Sequence, residues 1–238
     1  MTQNKKHLLI ISSFARDKIT YLKSGKTVEK LGGPAFWISE TLKDLKIDFD
    51  ILTGKKRAEV EIFIDDSQEN GIIKSVDKIA LKEKRKADLI IISTISNEFD
   101  LGLISDKLDG DVVLDMQGYV RHAKLLNNNF NFPTNLAKRI KIIKATEEES
   151  AHLKTELADI HSGIILLITK GKDGADIVEN GKKYSFQAPE IKSASNTLGA
   201  GDVFLTAFTV SYMNNKNAYE AGKFATLYTS RFLKKKSA

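Results

Sequence analysis

Residues 193–208 read SASNTLGAGDVFLTAF. Three small residues, Gly199, Ala200 and Gly201, stand directly before an acid, Asp202, and a largely apolar run follows. That run predicts a buried helix with the small residues at its start. Glycine permits backbone conformations that other residues resist, and it lets another molecule approach the chain closely. The first N–H groups of a helix lack internal partners, and the dipole there is positive. Together these features make an anion site without a charged side chain. A carboxylate in the same turn can accept a proton from a hydroxyl attacking that anion. Phosphoryl transfer to an alcohol requires this pairing. Taken alone, the tetrapeptide also fits a tight helix entry whose acid merely complements the dipole.

Outward from this stretch, apolar runs rich in β-branched residues at 7–12, 48–52, 88–93, 111–115, 140–144 and 163–169 predict strands. Helical periodicity separates most of them, at 36–45 and at 147–157, where Thr146 and Glu149 have capping-box spacing. Alternating strands and helices imply a mostly parallel sheet covered on both faces, with ligands beyond the carboxyl ends of its strands. Two segments read as hairpins: 59–74, and 175–188 around Asn180-Gly181. Antiparallel pieces of this kind form an edge or a lid. With no linker-like or repeated segment, residues 1–238 read as one domain.

Composition narrows the classes. Hydrophobic residues make up 42% of the 238, enough for a sizeable core, and there is no cysteine for disulfides or thiolate metal sites. No apolar run approaches bilayer length, and the start lacks a signal-peptide pattern, so a cytoplasmic location and no membrane partner are expected. The charge of +6, from 37 basic and 31 acidic residues, suits an anionic small ligand. The basic runs 82–86 and 234–236 lack interleaved aromatics, so they read as solvated helix faces and a frayed tail, and no nucleic-acid partner is expected. His7, His122, His152 and His161 show no metal-ligand spacing. Gly25-Lys26-Thr27 fails as a P-loop, because the first glycine required would fall on Thr20.

Asn196-Thr197-Leu198-Gly199-Ala200-Gly201-Asp202-Val203-Phe204 resembles the second signature of the ribokinase-like (PfkB) carbohydrate kinases. The resemblance implies an α/β three-layer sandwich with a small β lid, here reduced to about 59–74. It implies Asp202 as catalytic base and the amides of Gly199, Ala200 and Gly201 as anion hole. Asn196 stands where the family usually has Asp. Leu31-Gly32-Gly33-Pro34-Ala35 resembles the first signature, in which Gly32 and Gly33 approach the sugar, and Asp17 matches an early acid that binds substrate hydroxyls. Trp37 replaces a frequent Asn. Glu149 matches the Glu of a motif that organises Mg2+ and phosphate, although Thr146 replaces its Asn. Thr169, Gly171 and Gly174 match a segment bordering the nucleotide, where Lys170 or Lys172 could add charge. Residues 115–121, DMQGYVR, are similar to a run in the inositol-kinase-like branch, with Arg121 reaching a phosphate or pairing with a surface acid.

The family reading is therefore an ATP- and Mg2+-dependent phosphotransferase acting on a sugar, cyclitol or related polyol, with a homodimer through the lid as its protein partner. A nucleoside kinase of the same family is one alternative. A catalytically weak or inactive nucleotide- or sugar-binding regulatory relative is the other, motivated by the departures at Trp37, Thr146 and Asn196.

Overall fold

The computed structural model describes residues 7–65, 68–126, 128, 130, 136, 138–151, 163–189 and 196–237. His152, His161, the second half of the helix expected over 147–157, and the first three residues of the opening stretch lie outside these.

Strands β1 (Leu8–Ser12), β4 (Asp50–Leu52), β7 (Arg85–Ser93), β8 (Leu108–Asp115), β9 (Ile140–Thr146), β10 (Ile165–Thr169), β11 (Ala175–Glu179) and β12 (Lys182–Phe186) form one sheet in the order β12-β11-β10-β9-β8-β7-β1-β4. From β4 to β10 the pairing is parallel, while β10-β11-β12 is antiparallel. The β11–β12 hairpin turns on Asn180 and Gly181 at φ 50° and 76°, the left-handed pair expected of Asn-Gly.

Side-chain alternation gives the sheet two buried faces. Leu9, Ile11, Ile90, Ile92, Val112 and Leu114 point to one side. Leu8, Ile10, Ile91, Val113, Ile142 and Leu167 point to the other, which is covered by α1 (Pro34–Asp44), α5 (Ala200–Asn215) and α6 (Ala218–Ser237). Eight consecutive buried residues, Val203 to Val210, make α5 a core helix, as its apolar run predicts. The remaining helices, α2 (Leu103–Lys107), α3 (Gln117–Leu125) and α4 (Glu147–Ala151), lie at strand ends. Arg85 and Lys86 open β7, so the basic run at 82–86 is not a helix face.

A second sheet has the order β3-β2-β5-β6, from β2 (Ala15–Tyr21), β3 (Thr27–Gly32), β5 (Ala58–Asp65) and β6 (Gln68–Ser75). The hairpin expected at 59–74 is its β5–β6 half. The lid is nonetheless larger than expected, because residues 15–32 contribute two further strands. Ile19, Ile62 and Ile64 form its small core, and Leu198 packs against them from the segment leading into α5.

Candidate functional site

The carboxyl edge of the main sheet carries a row of polar side chains beneath the start of α5. On the α5 side, Ser12, Ser93 and Asp115 close strands β1, β7 and β8, and Lys144 lies two residues before the end of β9, all buried. The Lys144 ammonium lies 3.2 and 3.1 Å from the two oxygens of Asp115, and these side chains are only 3% and 1% exposed. Ser93 Oγ lies 3.3 Å from both Asp115 Oδ2 and Asp202 Oδ1. Asp202, Ser93, Asp115 and Lys144 thus form one connected polar cluster.

Gly199 caps α5 in the left-handed region at φ 81°, and a Cβ there would come within 2.4 Å of the Trp37 ring. Glycine is needed at 199 for both reasons. A Cβ on Gly201 would meet Lys144 Nζ at 3.1 Å, so the buried ammonium sits directly against the turn. The structure corrects one expectation here. The Ala200 N–H is engaged, donating to Thr197 O at 3.0 Å, and it cannot serve an anion without breaking that bond. The N–H groups of Gly199, Gly201 and Asp202 meet no protein acceptor among the described residues. The turn therefore offers those three amides, with a lysine charge close by.

Burial, then the Asp115 charge, pushes the half-buried Asp202 carboxyl up to about 7, against the opposing pull of Lys144, Ser93 and Arg121. Burial alone would lower Lys144, but Asp115, with Glu149 and Asp202 beyond it, holds the ammonium above the usual lysine value. Arg121, on α3, donates to the Ile95 carbonyl at 3.0 Å, and its charge is felt by both Asp202 and Glu149.

The acceptor-side candidates meet at the lid. Asp17 on β2 is buried, and a Cβ on Gly32 would come within 1.7 Å of its Oδ2, so Gly32 makes the space that Asp17 fills. Burial lifts Asp17 to about 6, opposed by a hydrogen bond from the Gly33 backbone and the charge of Lys236. Gly33, at φ 79°, caps α1 where a Cβ would lie 2.7 Å from both Ala15 N and Ser13 O. Glu69 on β6 accepts from Thr197 N at 2.7 Å and Thr197 Oγ1 at 3.0 Å, tying the lid to the segment before the turn.

On the opposite side, Thr169 ends β10, and its hydroxyl lies 3.5 Å from the Ala145 carbonyl. Gly171 starts a short 3-10 turn at φ 58° in open space, whereas Gly174, at φ 95°, has no room for a Cβ beside the Phe186 carbonyl. Lys170 is held 2.9 Å from Asp176. Thr146 and Glu149 form the expected capping box. Glu149 Oε2 accepts from Thr146 N at 2.8 Å, and Thr146 Oγ1 accepts from Glu149 N at 3.1 Å. Burial raises the Glu149 carboxyl. With one oxygen in that bond, Glu149 fits a magnesium ion held through water better than one bound directly. Among the described residues no group of three or more His, Cys, Asp or Glu side chains could hold a metal.

Sequence reading missed Ser93, Asp115 and Lys144 as a group, and it took Lys236 for part of a frayed tail. The first three had a signal: each is a polar residue at or within two residues of the carboxyl end of an apolar strand.

A ribokinase-like three-layer α/β architecture is the class this fold defines, and solved structures agree. A pyrophosphate-dependent kinase of the ribokinase family, complexed with a pyrophosphate analogue and myo-inositol, superposes with a TM-score of 0.68 at 18% identity, over 94% of this chain and 93% of that one. Arabidopsis thaliana ribokinase, complexed with ribose and ATP, gives 0.70 at 16% identity, over 94% and 91%. The chain belongs to the pfkB family of carbohydrate kinases, whose model matches residues 51–238. It is also 28% identical over 103 residues to an uncharacterised sugar kinase of Pyrococcus horikoshii, a match covering 42% of this chain and 33% of that relative's length. Among the described residues no helix is long and apolar enough to cross a membrane.

Proposed function

We propose that this protein transfers the γ-phosphoryl group of ATP to a hydroxyl of a sugar-like or cyclitol acceptor. The observation that carries this reading is the meeting of Asp202, raised to about 7, with the free amides of Gly199, Gly201 and Asp202 at the start of α5. A base poised near the working pH is best matched to proton transfer.

In the step, the acceptor oxygen forms a bond to the γ-phosphorus as the bond from the γ-phosphorus to the bridging oxygen breaks. The hydroxyl proton passes to Asp202, and the nucleoside diphosphate leaves. Charge on the moving group is stabilised by these free amides, the α5 dipole and the Lys144 ammonium. Asp17, seated in the space that Gly32 makes, accepts hydrogen bonds from acceptor hydroxyls. Thr169, Gly171 and Gly174 border the donor. Glu149 would hold the donor's magnesium ion, which when bound would supply charge neutralisation. Arg121 adds positive potential.

The test is product formation by purified protein on a panel of sugars, cyclitols and nucleosides, with ATP and with pyrophosphate as donors. The pyrophosphate arm is included because one structural neighbour uses that donor. Turnover with ATP on at least one polyol is expected. Asp202→Asn should lower kcat by about two to four orders of magnitude, the range for losing a general base, while donor binding persists. Normal turnover by that variant would remove Asp202 from its role. Tight ligand binding with silence on every acceptor and both donors would favour a non-catalytic relative.

A further inference from the structure

Lys236 lies in the last turn of α6, in a run of three lysines that looks like a solvated helix end. Its side chain instead turns inward. Nζ donates to Asn196 Oδ1 at 3.0 Å and to the Leu198 carbonyl at 2.8 Å. The ammonium also stands 4.7 Å from the centre of the Trp37 ring and 5.4 Å from that of Phe232. The Leu198 carbonyl belongs to the residue just before Gly199. The Asn196 side chain also accepts from Leu198 N at 2.9 Å, which fixes the same three-residue approach to α5. Trp37 in turn packs against Gly199, where a Cβ would strike its ring. One ammonium therefore braces the turn from two sides: through the chain that enters it, and through the ring that supports it.

We propose that Lys236 is a positioning residue for phosphoryl transfer, holding residues 196–198 and Trp37 so that the Gly199–Asp202 turn presents its amides to the phosphoryl group. The assignment rests on the kinase reading of that turn. It explains how Asn serves at 196, where the family usually has Asp: its amide oxygen is one of the two acceptors of the lysine. The charged groups facing Lys236 come from three lid strands, Asp17 on β2, Lys30 on β3 and Glu69 on β6. Burial is the main cause pulling the ammonium down to about 8, aided by Lys30 and opposed by Glu69 and Asp17. The brace therefore weakens as pH rises through about 8, when the ammonium loses its charge.

Three measurements on wild type, Lys236→Met and Lys236→Arg test this. The first is Trp37 fluorescence against pH, since Trp37 is the single tryptophan of the chain. A transition with a midpoint near 8 is expected in wild type and should be absent from both variants, because methionine carries no charge and arginine keeps its own. The second is calorimetric binding of inorganic pyrophosphate. Its affinity should fall about tenfold in the methionine variant, the scale of one lost charge-assisted hydrogen bond, and recover largely with arginine. The third is turnover, where kcat should fall by a similar factor with the acceptor KM little changed, and the arginine variant should extend activity to higher pH. Unchanged pyrophosphate affinity and fluorescence titration in Lys236→Met would overturn the proposal. A loss of thermal stability with unchanged pyrophosphate affinity would also overturn it, since the lysine would then be structural only. If wild type turned over no acceptor, the kinase reading would fall, yet the first two measurements would still decide whether Lys236 braces the turn.

Discussion

Replacing Lys144 by methionine removes one partner of a buried ion pair and leaves Asp115 without a counter-ion at 1% exposure. Methionine roughly preserves the length and volume of the side chain, so little cavity forms and the cost is mainly electrostatic. Breaking such a pair from one side costs about 3–5 kcal/mol. Asp115 keeps its contact with Ser93 and accepts from Gln117 N at 3.1 Å, which points to the lower half of that range. For a chain of this size each kcal/mol moves Tm by roughly 2–4 °C, so a fall of about 6–16 °C is expected. The companion is the double variant Lys144→Met with Asp115→Asn. Asparagine retains an oxygen for Gln117 N but carries no charge, so most of the lost stability should return, because a buried pair replaced as a whole is close to neutral. The assay is denaturant unfolding of wild type, both single variants and the double, read as a cycle. Turnover should stay low in the double variant, because the charge beside Gly201 is still missing. A single variant within about 1 kcal/mol of wild type would show that Asp115 does not depend on Lys144. Full activity in the double variant would show that the ammonium does not assist transfer.

Two other predictions test neighbouring parts of the site. The pH dependence of kcat should have an acid limb near 7 from Asp202, and Asp115→Asn should shift it downward, because the Asp115 charge is one cause that raises Asp202. A carboxyl raised in the folded state binds its proton more tightly there, so this group makes stability fall as pH rises from the ordinary carboxylate range to about 7. Asp202→Asn should therefore flatten that slope in denaturant unfolding between pH 5 and pH 8. Gly32→Ala would place a Cβ 1.7 Å from Asp17 Oδ2. Asp17 must then move, so the acceptor KM should rise about tenfold or more, the scale of a displaced charged hydrogen-bond partner, with kcat less affected.

Much of this fold could be read from local pattern. The central strands of the main sheet, β1, β7, β8 and β9, are largely apolar runs because both of their faces are buried, and Asn180-Gly181 dictates its own turn. Strands β2 and β3 escaped because their sequences, ARDKITY and TVEKLG, show charge where a strand signal wants apolar residues. Only the β2 pattern of alternate burial reveals Asp17 as an inward side chain. At the site, Gly199 to Asp202 announced itself because a glycine-rich helix start is a local device. The Ser93, Asp115 and Lys144 cluster did not, since its members come from three strands and meet only when those strands lie in register. Lys236 was hidden for a related reason: a run of lysines reads as solvent-facing until a half-buried aromatic ring is found under one of them. The engaged Ala200 amide likewise depends on the angle at which residues 197–200 turn, which composition does not encode.

Ser93 has one proton to give and two carboxylates within reach at 3.3 Å. It can satisfy only one of them at a time, and a charged oxygen attracts the hydroxyl hydrogen more strongly than a protonated one. While Asp202 is charged it competes with Asp115 for that hydrogen. Once Asp202 has taken up a proton the competition ends, and a rotation about the serine Cβ–Oγ bond returns the hydrogen to Asp115. The serine is thus placed to act as a rotor that follows the protonation state of its two neighbours.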